Sequence, residues 1–432
     1  MKQLLLASIH SLVVMFIGIS CVPLDQNSDT NFIPKKITYS NKDYNQSVGA
    51  ILLYNQNPLD PPVADLRSNE QLILEFDLFE DNSDYINLRL IHCDANWNKS
   101  KIPDLQYLDE FNQFLVTDYQ FSENTAINYV HYKMVIPKPK ISGNYIIAAH
   151  RGNNKDDLLF TRRFLITERL VSIESSVQMP RQVQQRNTGQ ELVLKVIYEN
   201  INSPNPQQEL FATVRQNYRW DNAKVNLKAN NNLINSNTLE FQTFDNELTF
   251  PGGNEFRLID LRSKSIPGMN VANVRQQDND VIANSRIYQP FIGDVYTRPV
   301  NEDMNGNFFH SIVDLGADPL EVDYVYTTFN IDLNQKYADP IYLVGRFNSW
   351  DHDSKSLLVY NETRKLYQTS FFLKQGVYEF TVESVKGDVI GHPLDKSFRL
   401  TENMYDVIVY QKVIGNNYDR IVGYYRFTSG RN

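Results

Sequence analysis

The chain has 432 residues, enough for two to four domains, and its 42% hydrophobic content is sufficient to fill ordinary cores. It contains 25 tyrosines and 24 phenylalanines, and this aromatic content favours half-buried pleated sheets over helices. The formal net charge of −9, without any basic run, disfavours binding to the phosphate backbone of nucleic acids.

The N-terminus has the pattern of an export signal. A basic start precedes an apolar stretch at residues 12–17, and small residues then lead to Cys21. We therefore expect a signal peptide over residues 1–20 and a polar, flexible tether over residues 21–36. Cys21 resembles the acylated cysteine of a bacterial lipoprotein, although Gly18 stands where a large aliphatic residue is usual. The alternative is simple cleavage near this position, which releases a protein without an anchor.

Residues 37–168 are predicted to form a first β-sandwich, in which short apolar stretches alternate with turns rich in Pro and Asn. His92 and Cys93 end one of the predicted strands. Because successive strand residues point to opposite faces, these two side chains diverge. This geometry disfavours a nucleophile with its base, and it favours a satisfied histidine beside a packed thiol.

Two further β-units are predicted after the first. Residues 169–317 contain alternating strands such as 191–196 and 211–217, and Asn305-Gly306 is a hairpin-turn signal. Residues 318–432 contain the alternating stretch 377–382, whose Tyr and Phe side chains share one face. The fold class expected from these patterns is all-β, with β-sandwiches in tandem.

The sequence has no catalytic, cofactor or metal signature. Its only cysteines are Cys21 and Cys93, so no disulfide framework is expected. The seven histidines are scattered without the spacing of metal ligands. We therefore expect no enzyme activity, no cofactor and no metal; residues that meet only in the folded chain are the alternative source of a catalytic site. Beyond the signal, no apolar run approaches the roughly 18 residues that cross a bilayer, so membrane association is expected only through lipid or a partner.

Several short motifs occur in a fixed order between Leu88 and Glu168. They are Ile91-His92-Cys93-Asp94-Ala95-Asn96-Trp97, Tyr107-Leu108-Asp109-Glu110-Phe111, Asp118-Tyr119-Gln120-Phe121-Ser122, Ser142-Gly143-Asn144-Tyr145 and Thr161-Arg162-Arg163-Phe164. Together they resemble the N-terminal domain of the type IX secretion system plug proteins, which are periplasmic proteins of Bacteroidetes. The stretch at residues 254–262 resembles the same family.

The C-terminal unit, residues 318–432, resembles early-set immunoglobulin-like domains, which include starch- and glycogen-binding modules. The resemblance rests on residues 341–350 and 367–382. It implies that the tandem sandwiches are immunoglobulin-like. Because such modules stack sugars on exposed aromatic rings, Trp350 is a candidate contact for a sugar or a partner. A carbohydrate-binding periplasmic or surface lipoprotein is the alternative function.

The plug resemblance implies a non-catalytic component of the type IX secretion system. Such a protein binds the periplasmic opening of a giant outer-membrane β-barrel translocon and occludes it when no cargo is engaged. Obstruction requires area, shape and stiffness rather than a reactive group, and this agrees with the motifs of the chain. The expected location is the periplasm, at the inner face of the outer membrane, with lipid on Cys21 as a further anchor.

Overall fold

The computed structural model describes residues 35–242, 247–291, 293–297, 304–313, 319–387, 389–412 and 415–430. Within these ranges the chain forms 29 strands and two α-helices of four residues each, and the all-β prediction is confirmed. In the same ranges, no helix has the length and apolar composition needed to cross a membrane. The expected signal peptide, Cys21 and most of the tether lie outside the described residues.

The first sandwich contains ten strands and one short helix. Their bounds are β1 Lys42–Asp43, β2 Val48–Asn55, β3 Val63–Asp65, β4 Leu72–Leu78, β5 Ile86–Cys93, α1 Asp104–Tyr107, β6 Phe114–Leu115, β7 Asp118–Phe121, β8 Val130–Val135, β9 Gly143–Arg151 and β10 Leu158–Thr167. Sheet A has the order β1-β10-β9-β5-β6, with β3 parallel to β10, and sheet B has the order β2-β4-β8-β7. Alternate apolar residues, such as Leu88 and Leu90 of sheet A and Phe76 of sheet B, fill the space between the sheets.

The second sandwich begins immediately after the first. Its elements are β11 Ser172–Gln178, a 3₁₀ helix Val183–Gln185, β12 Gly189–Ile197, α2 Pro206–Glu209, β13 Leu210–Gln216, β14 Lys224–Lys228, β15 Asn231–Leu233, a 3₁₀ helix Ile234–Ser236, β16 Thr238–Phe241 and β17 Thr249–Pro251. Sheet C has the order β11-β12-β16-β15, and β17 also pairs with β12. The remaining strands, β13 and β14, belong to the facing sheet, sheet D.

The third sandwich follows in the chain. Its elements are β18 Arg257–Asp260, β19 Val271–Gln277, β20 Asp280–Tyr288, β21 Phe308–His310, a 3₁₀ helix Pro319–Glu321, β22 Tyr324–Ile331, β23 Ile341–Val344, a 3₁₀ helix Arg346–Asn348, β24 Val359–Asn361, β25 Leu366–Lys374, β26 Gly376–Lys386 and β27 Val389–Gly391. Strand β26 pairs with β18, β21, β23 and β27 to form sheet E, and sheet F has the order β19-β20-β22-β25-β24. Tyr378, Phe380 and Val382 of β26 share the face that packs on sheet F.

The last two strands return to the second sandwich. They are β28 Met404–Lys412 and β29 Asp419–Thr428, and sheet D has the order β14-β13-β28-β29. The pairing of β13 with β28 runs from Leu210 opposite Gln411 to Gln216 opposite Tyr405. This pairing does not follow the expected division between residues 169–317 and residues 318–432. We propose instead that the second sandwich consists of residues 172–251 and 404–428, with the third sandwich inserted between these two parts.

The three sandwiches pack directly on one another. The outer faces of sheets A and D meet in a shared core that includes Ile91 and Ile146 of sheet A and Ile408 and Ile421 of sheet D. The third sandwich lies against sheet B, where Leu52 packs on the third core. Sheets B, A, D and C therefore form four successive layers, and residues 35–432 make up one compact unit.

Candidate interaction site: the motif seam and the exposed edge

His92 is buried at the end of β5, and both of its ring nitrogens are engaged. Nε2 lies 3.4 Å from the carbonyl oxygen of Ser142 and donates to it, so Nδ1 is the acceptor, at 2.8 Å, for the Ser100 hydroxyl. Burial lowers the pKa of His92 to about 4, which keeps the ring neutral near pH 7. The histidine therefore has a structural environment, with no nitrogen left to act as a base.

Cys93 points to the opposite face of β5, as the alternation of strand residues predicts. Its sulfur lies 3.8 Å from the carbonyl oxygen of Ile91, in the core between sheets A and D. Burial, reinforced by the charge of Asp94, raises the pKa of Cys93 to about 12. A fully buried thiol of this kind is not a nucleophile near pH 7.

The residues after Cys93 form a turn that directs Trp97 toward the second sandwich. The Asp94 carboxylate accepts hydrogen bonds from the backbone N–H groups of Asn96 at 2.9 Å and Asn98 at 2.8 Å. Trp97 has a left-handed φ of 64°, and its ring lies edge to face with Trp220, with 4.9 Å between ring centroids. This motif therefore builds a contact between two sandwiches.

The Ser142-Gly143-Asn144 motif at the start of β9 faces the same sandwich. The Ser142 hydroxyl donates to Glu168 at 2.7 Å and accepts from the backbone N–H of Ile421 at 3.2 Å. Asn144 accepts a hydrogen bond of 2.9 Å from the hydroxyl of Tyr410. These contacts join sheet A to strands β28 and β29.

Glu168 completes this junction with a bidentate ion pair to Arg420, at 2.7 and 2.9 Å. Burial alone would favour the neutral acid, but the hydrogen bonds from Arg420 and Ser142 lower the pKa of Glu168 below its ordinary value. The guanidinium of Arg163 also lies 4.3 Å from the ring centroid of Trp97. We call the junction formed by His92, Asp94, Trp97, Ser142, Asn144, Arg163 and Glu168 the motif seam. The motifs of the first sandwich thus specify an interface within the chain.

Two further buried ion pairs hold the third sandwich in place. Asp77 of sheet B accepts hydrogen bonds from Lys374 at 2.6 Å, Tyr324 at 2.6 Å and His131 at 2.7 Å. Although burial by itself favours the neutral acid, the charge of Lys374 and the hydrogen bond from His131 lower the pKa of Asp77 to about 2. The carboxylate is therefore charged and compensated in the folded protein.

The second and third sandwiches are joined by Arg219 and Glu383, whose side chains are 2.7 Å apart. His352 also bonds the Glu383 carboxylate, at 2.8 Å. Burial opposes ionisation of this carboxylate, but the charge of Arg219 prevails and lowers the pKa of Glu383 to about 2. Buried charge pairs thus join the third sandwich to the first and to the second, and the part-buried pair of Glu168 and Arg420 joins the first sandwich to the second.

A different group of motif residues faces solvent. Segment 111–121 carries four exposed apolar side chains, namely Phe111, Leu115, Tyr119 and Phe121. It contains β6, the outermost strand of sheet A, and β7, the outermost strand of sheet B. We call this segment, together with Tyr85, the exposed edge.

The exposed edge is held on the sandwich by backbone contacts. The N–H of Val116 donates to the carbonyl oxygen of Ile86 at 2.9 Å, and that of Gly152 donates to the carbonyl oxygen of Tyr85 at 2.7 Å. Phe111 and Tyr85 each expose 74% of their surface. Within the described part of the chain, no strand pairs with the outer side of β6 or β7. The edge therefore presents both apolar side chains and unpaired strand groups.

Trp350, the candidate for sugar or partner contact, is only 6% exposed. Its ring lies 4.3 Å from the Arg219 guanidinium and edge to face with Phe256. A sugar requires an open aromatic face, which this buried ring does not offer. The structure thus places Trp350 at a junction and Phe111, Tyr119 and Phe121 at the surface.

No group of three or more His, Cys, Asp or Glu side chains within the described ranges is arranged to hold a metal ion. The lipidation candidate, Cys21, lies outside these ranges. What the described residues offer for function is therefore a stiff set of interlocked sandwiches and an apolar edge.

The fold and the motif seam define an all-β protein of interlocked β-sandwiches. Residues 39–168 match the sequence model of the family described as type 9 secretion system plug protein 1st domain. The first sandwich is therefore similar to the first domain of these proteins, and the resemblance predicted from its motifs is confirmed.

The fold is also similar to that of a solved structure. The chain is similar to a hypothetical protein from Parabacteroides merdae, with 25% sequence identity and a TM-score of 0.86. The similarity covers 91% of this chain and 100% of the other chain. The comparison with curated proteins gives no match.

Proposed function

We propose that this protein is a non-catalytic component of the type IX secretion system that binds and occludes the periplasmic opening of the outer-membrane translocon when no cargo is engaged. The observation that carries the proposal is the match of residues 39–168 to the first domain of the plug proteins. We further propose a periplasmic location at the inner face of the outer membrane, with lipid on Cys21 as an additional anchor.

The contacts between the sandwiches support this proposal, because a protein that occludes a pore must keep its size and shape. A shared core and the part-buried pair of Glu168 and Arg420 join the first sandwich to the second, and the buried pair of Asp77 and Lys374 joins it to the third. Two charges buried together in this way are costly to separate, since removing one partner leaves an uncompensated charge. These contacts support the proposal, because obstruction of a pore requires a stiff protein.

The exposed edge is the surface that we propose for docking on the translocon. It lies within the family-matched domain and carries Phe111, Tyr119 and Phe121 on outermost strands. A standard protein interface buries roughly 1,200 to 2,000 Å², and aromatic anchors carry a large part of its energy. An open strand edge also allows a partner strand to add to the sheet through backbone hydrogen bonds.

The test is co-purification from native membranes in mild detergent. The wild-type chain is expected to be recovered with a very large outer-membrane β-barrel, and deletion of the protein is expected to make the envelope permeable to large antibiotics. Phe111→Asp places a charge in the proposed contact and should reduce recovery of the barrel at least about tenfold, because a lost anchor of this type costs roughly 2 kcal/mol or more.

Ile234→Asp is the matched control, because Ile234 is 75% exposed and lies in the second sandwich. This variant should retain the barrel at the wild-type level. Recovery of the wild-type chain alone would contradict the plug function itself. Retention of the barrel by Phe111→Asp would contradict only the docking surface, so the two proposals are separated.

A further inference from the structure

A cavity of about 110 Å³ lies where the three sandwiches meet. Four arginines and two tryptophans are among the residues that line it. They are Arg162, Arg163, Arg215, Arg346, Trp220 and Trp350. The first sandwich contributes Arg162 and Arg163, the second contributes Arg215, and the third contributes Arg346.

Aromatic rings separate three of these guanidinium groups. The Cζ atoms of Arg163 and Arg215 lie 5.3 and 4.2 Å from the ring centroid of Trp220. The Cζ atoms of Arg215 and Arg346 lie 6.0 and 5.5 Å from the ring centroid of Tyr218. Three guanidinium groups, one from each sandwich, therefore lie around the rings of Trp220 and Tyr218.

Some of the charge around the cavity is compensated within the chain. Two of the lining arginines form ion pairs, namely Arg162 with Asp43 at 2.7 Å and Arg215 with Asp406. The pairing with Asp406 is bidentate and fully buried. The other two lining arginines are Arg163 and Arg346.

Arg163 and Arg346 form no ion pair with any described carboxylate. Arg163 donates from Nε to the carbonyl oxygen of Tyr39 at 2.8 Å. Arg346 donates to the carbonyl oxygens of Leu59 and Asp60, both at 3.2 Å. A backbone carbonyl satisfies a hydrogen bond but does not neutralise a charge, so the cavity carries an excess of positive charge.

The acid–base behaviour of these arginines agrees with this excess. Burial, reinforced by the neighbouring charge of Arg215, lowers the pKa of Arg163 to about 10. Burial also lowers the pKa of Arg346 below its ordinary value. In both cases burial outweighs the nearby negative charge, which for Arg346 includes Asp60.

We propose that this cavity binds a small oxyanion of the phosphate, sulfate or carboxylate type, held by Arg163 and Arg346. Its volume corresponds to about three or four water molecules, which suits one such group. The guanidinium fork matches the geometry of carboxylate and phosphate oxygens. Because the two arginines belong to the first and third sandwiches, the bound anion offsets positive charge where these sandwiches meet. This inference does not rest on the proposed function.

The experiment compares phosphate, acetate and chloride at matched ionic strength and pH 7, by calorimetric titration and by thermal unfolding of the full chain. Phosphate or acetate should bind saturably and raise the midpoint of unfolding by about 2 °C or more, whereas chloride should not. The oxyanion that binds more tightly identifies the source as an inorganic ion or a carboxylate.

Arg346→Gln removes one of the two unpaired cations and should weaken binding at least tenfold. The matched control is Arg275→Gln, since Arg275 is an exposed arginine of the third sandwich. Arg163→Lys keeps a charge but lacks the fork, so it should also bind more weakly. Equal stabilisation by chloride, or unchanged binding by Arg346→Gln, would overturn the proposal. If Arg346→Gln does not fold, the wild-type comparison of phosphate, acetate and chloride decides by itself.

Discussion

His92 and Gly143 form the tightest contact of the motif seam. Gly143 has a φ of 151°, which favours glycine, and an added Cβ would overlap Nε2 of His92. The presence of glycine next to Ser142 therefore allows the strand to approach the histidine ring closely enough for the Ser142 carbonyl to accept its hydrogen bond. Two motifs that lie fifty residues apart in the sequence depend on each other for this reason.

Gly143→Ala is expected to destabilise the protein by about 2 to 4 kcal/mol. An extra methyl group in a packed site costs about 1 to 3 kcal/mol, and a non-glycine residue at this φ adds backbone strain of about 1 kcal/mol or more. Urea unfolding followed by tryptophan fluorescence measures the difference, since Trp97 and Trp220 lie at the same seam.

Gly152→Ala provides the comparison for this variant. Gly152 also has a positive φ, of 51°, but an added Cβ there would meet no atom within 4 Å. Only the backbone strain of about 1 kcal/mol should remain. Equal losses of stability in the two variants would show that contact with His92 does not matter.

The orientation of some individual side chains could be predicted from the sequence. The alternation of strand residues predicts that His92 and Cys93 diverge, and the structure confirms it. Which aromatic residues are exposed could not be predicted, because Tyr107 and Phe111 belong to one motif, yet Tyr107 is buried and Phe111 is open. Tertiary packing determines this difference, and motif order alone does not record it.

At the scale of elements, strand content could be predicted but strand partnership could not. Alternating apolar residues mark β28 as a strand whichever sandwich it joins. Its partner is β13, almost two hundred residues earlier in the chain. Since pairing over such a distance has no local signal, the expected division near residue 317 placed β28 with the strands that precede it.

The return of β28 and β29 predicts the effect of a truncation. A chain that ends at Glu402 lacks two of the four strands of sheet D, including buried residues such as Val407 and Val409. It is expected to lose the fold of the second sandwich and the motif seam. Limited proteolysis of the purified chain measures this loss as cleavage within residues 172–251.

The control is a chain that ends at Gly430, just beyond β29, which should resist the protease as the full chain does. A chain ending at Glu402 that protects residues 172–251 equally well would show that sheet C and strands β13 and β14 suffice. That result would restore the expected division of the chain, with residues 318–432 as a separate unit.

At the scale of the whole molecule, Asp77 and Lys374 determine how firmly the third sandwich is attached to the first. Asp77→Asn leaves the buried Lys374 charge without its partner, and this should cost about 3 to 5 kcal/mol at pH 7. The double variant Asp77→Asn/Lys374→Met removes both charges and should be more stable than the single variant. Urea unfolding of the three proteins provides the comparison, and Glu362→Gln, in the exposed pair with Lys336, should leave the stability close to that of the wild type.

The contribution of Asp77 also depends on pH. Because its pKa is lowered from 3.8 to about 2, the charged pair stabilises the fold above pH 3.8, and this stabilisation is lost as the pH falls toward 2. The difference in unfolding free energy between the wild type and Asp77→Asn should therefore narrow below about pH 4. A difference that stays constant down to pH 3 would contradict this assignment.

The buried neutral histidines act in the same direction over a higher range of pH. Burial lowers the pKa of His92 to about 4 and that of His310 to about 3, so both gain protons on unfolding in acid. Their effect reduces stability as the pH falls below about 6.5. The His92 contribution is common to the wild type and Asp77→Asn, whereas the His310 contribution differs, because the charge of Asp77 raises the pKa of His310.

The position of β28 and β29 after the third sandwich has a consequence for folding during synthesis. During synthesis, residues 172–251 hold sheet C and two of the four strands of sheet D, and the edge of β13 stays open until β28 and β29 follow. Contacts between strands so distant in the sequence form slowly. Until they form, the unpaired strand edges can associate with other chains. We therefore expect the nascent chain to depend on a chaperone until β28 and β29 have been made and can pair with β13.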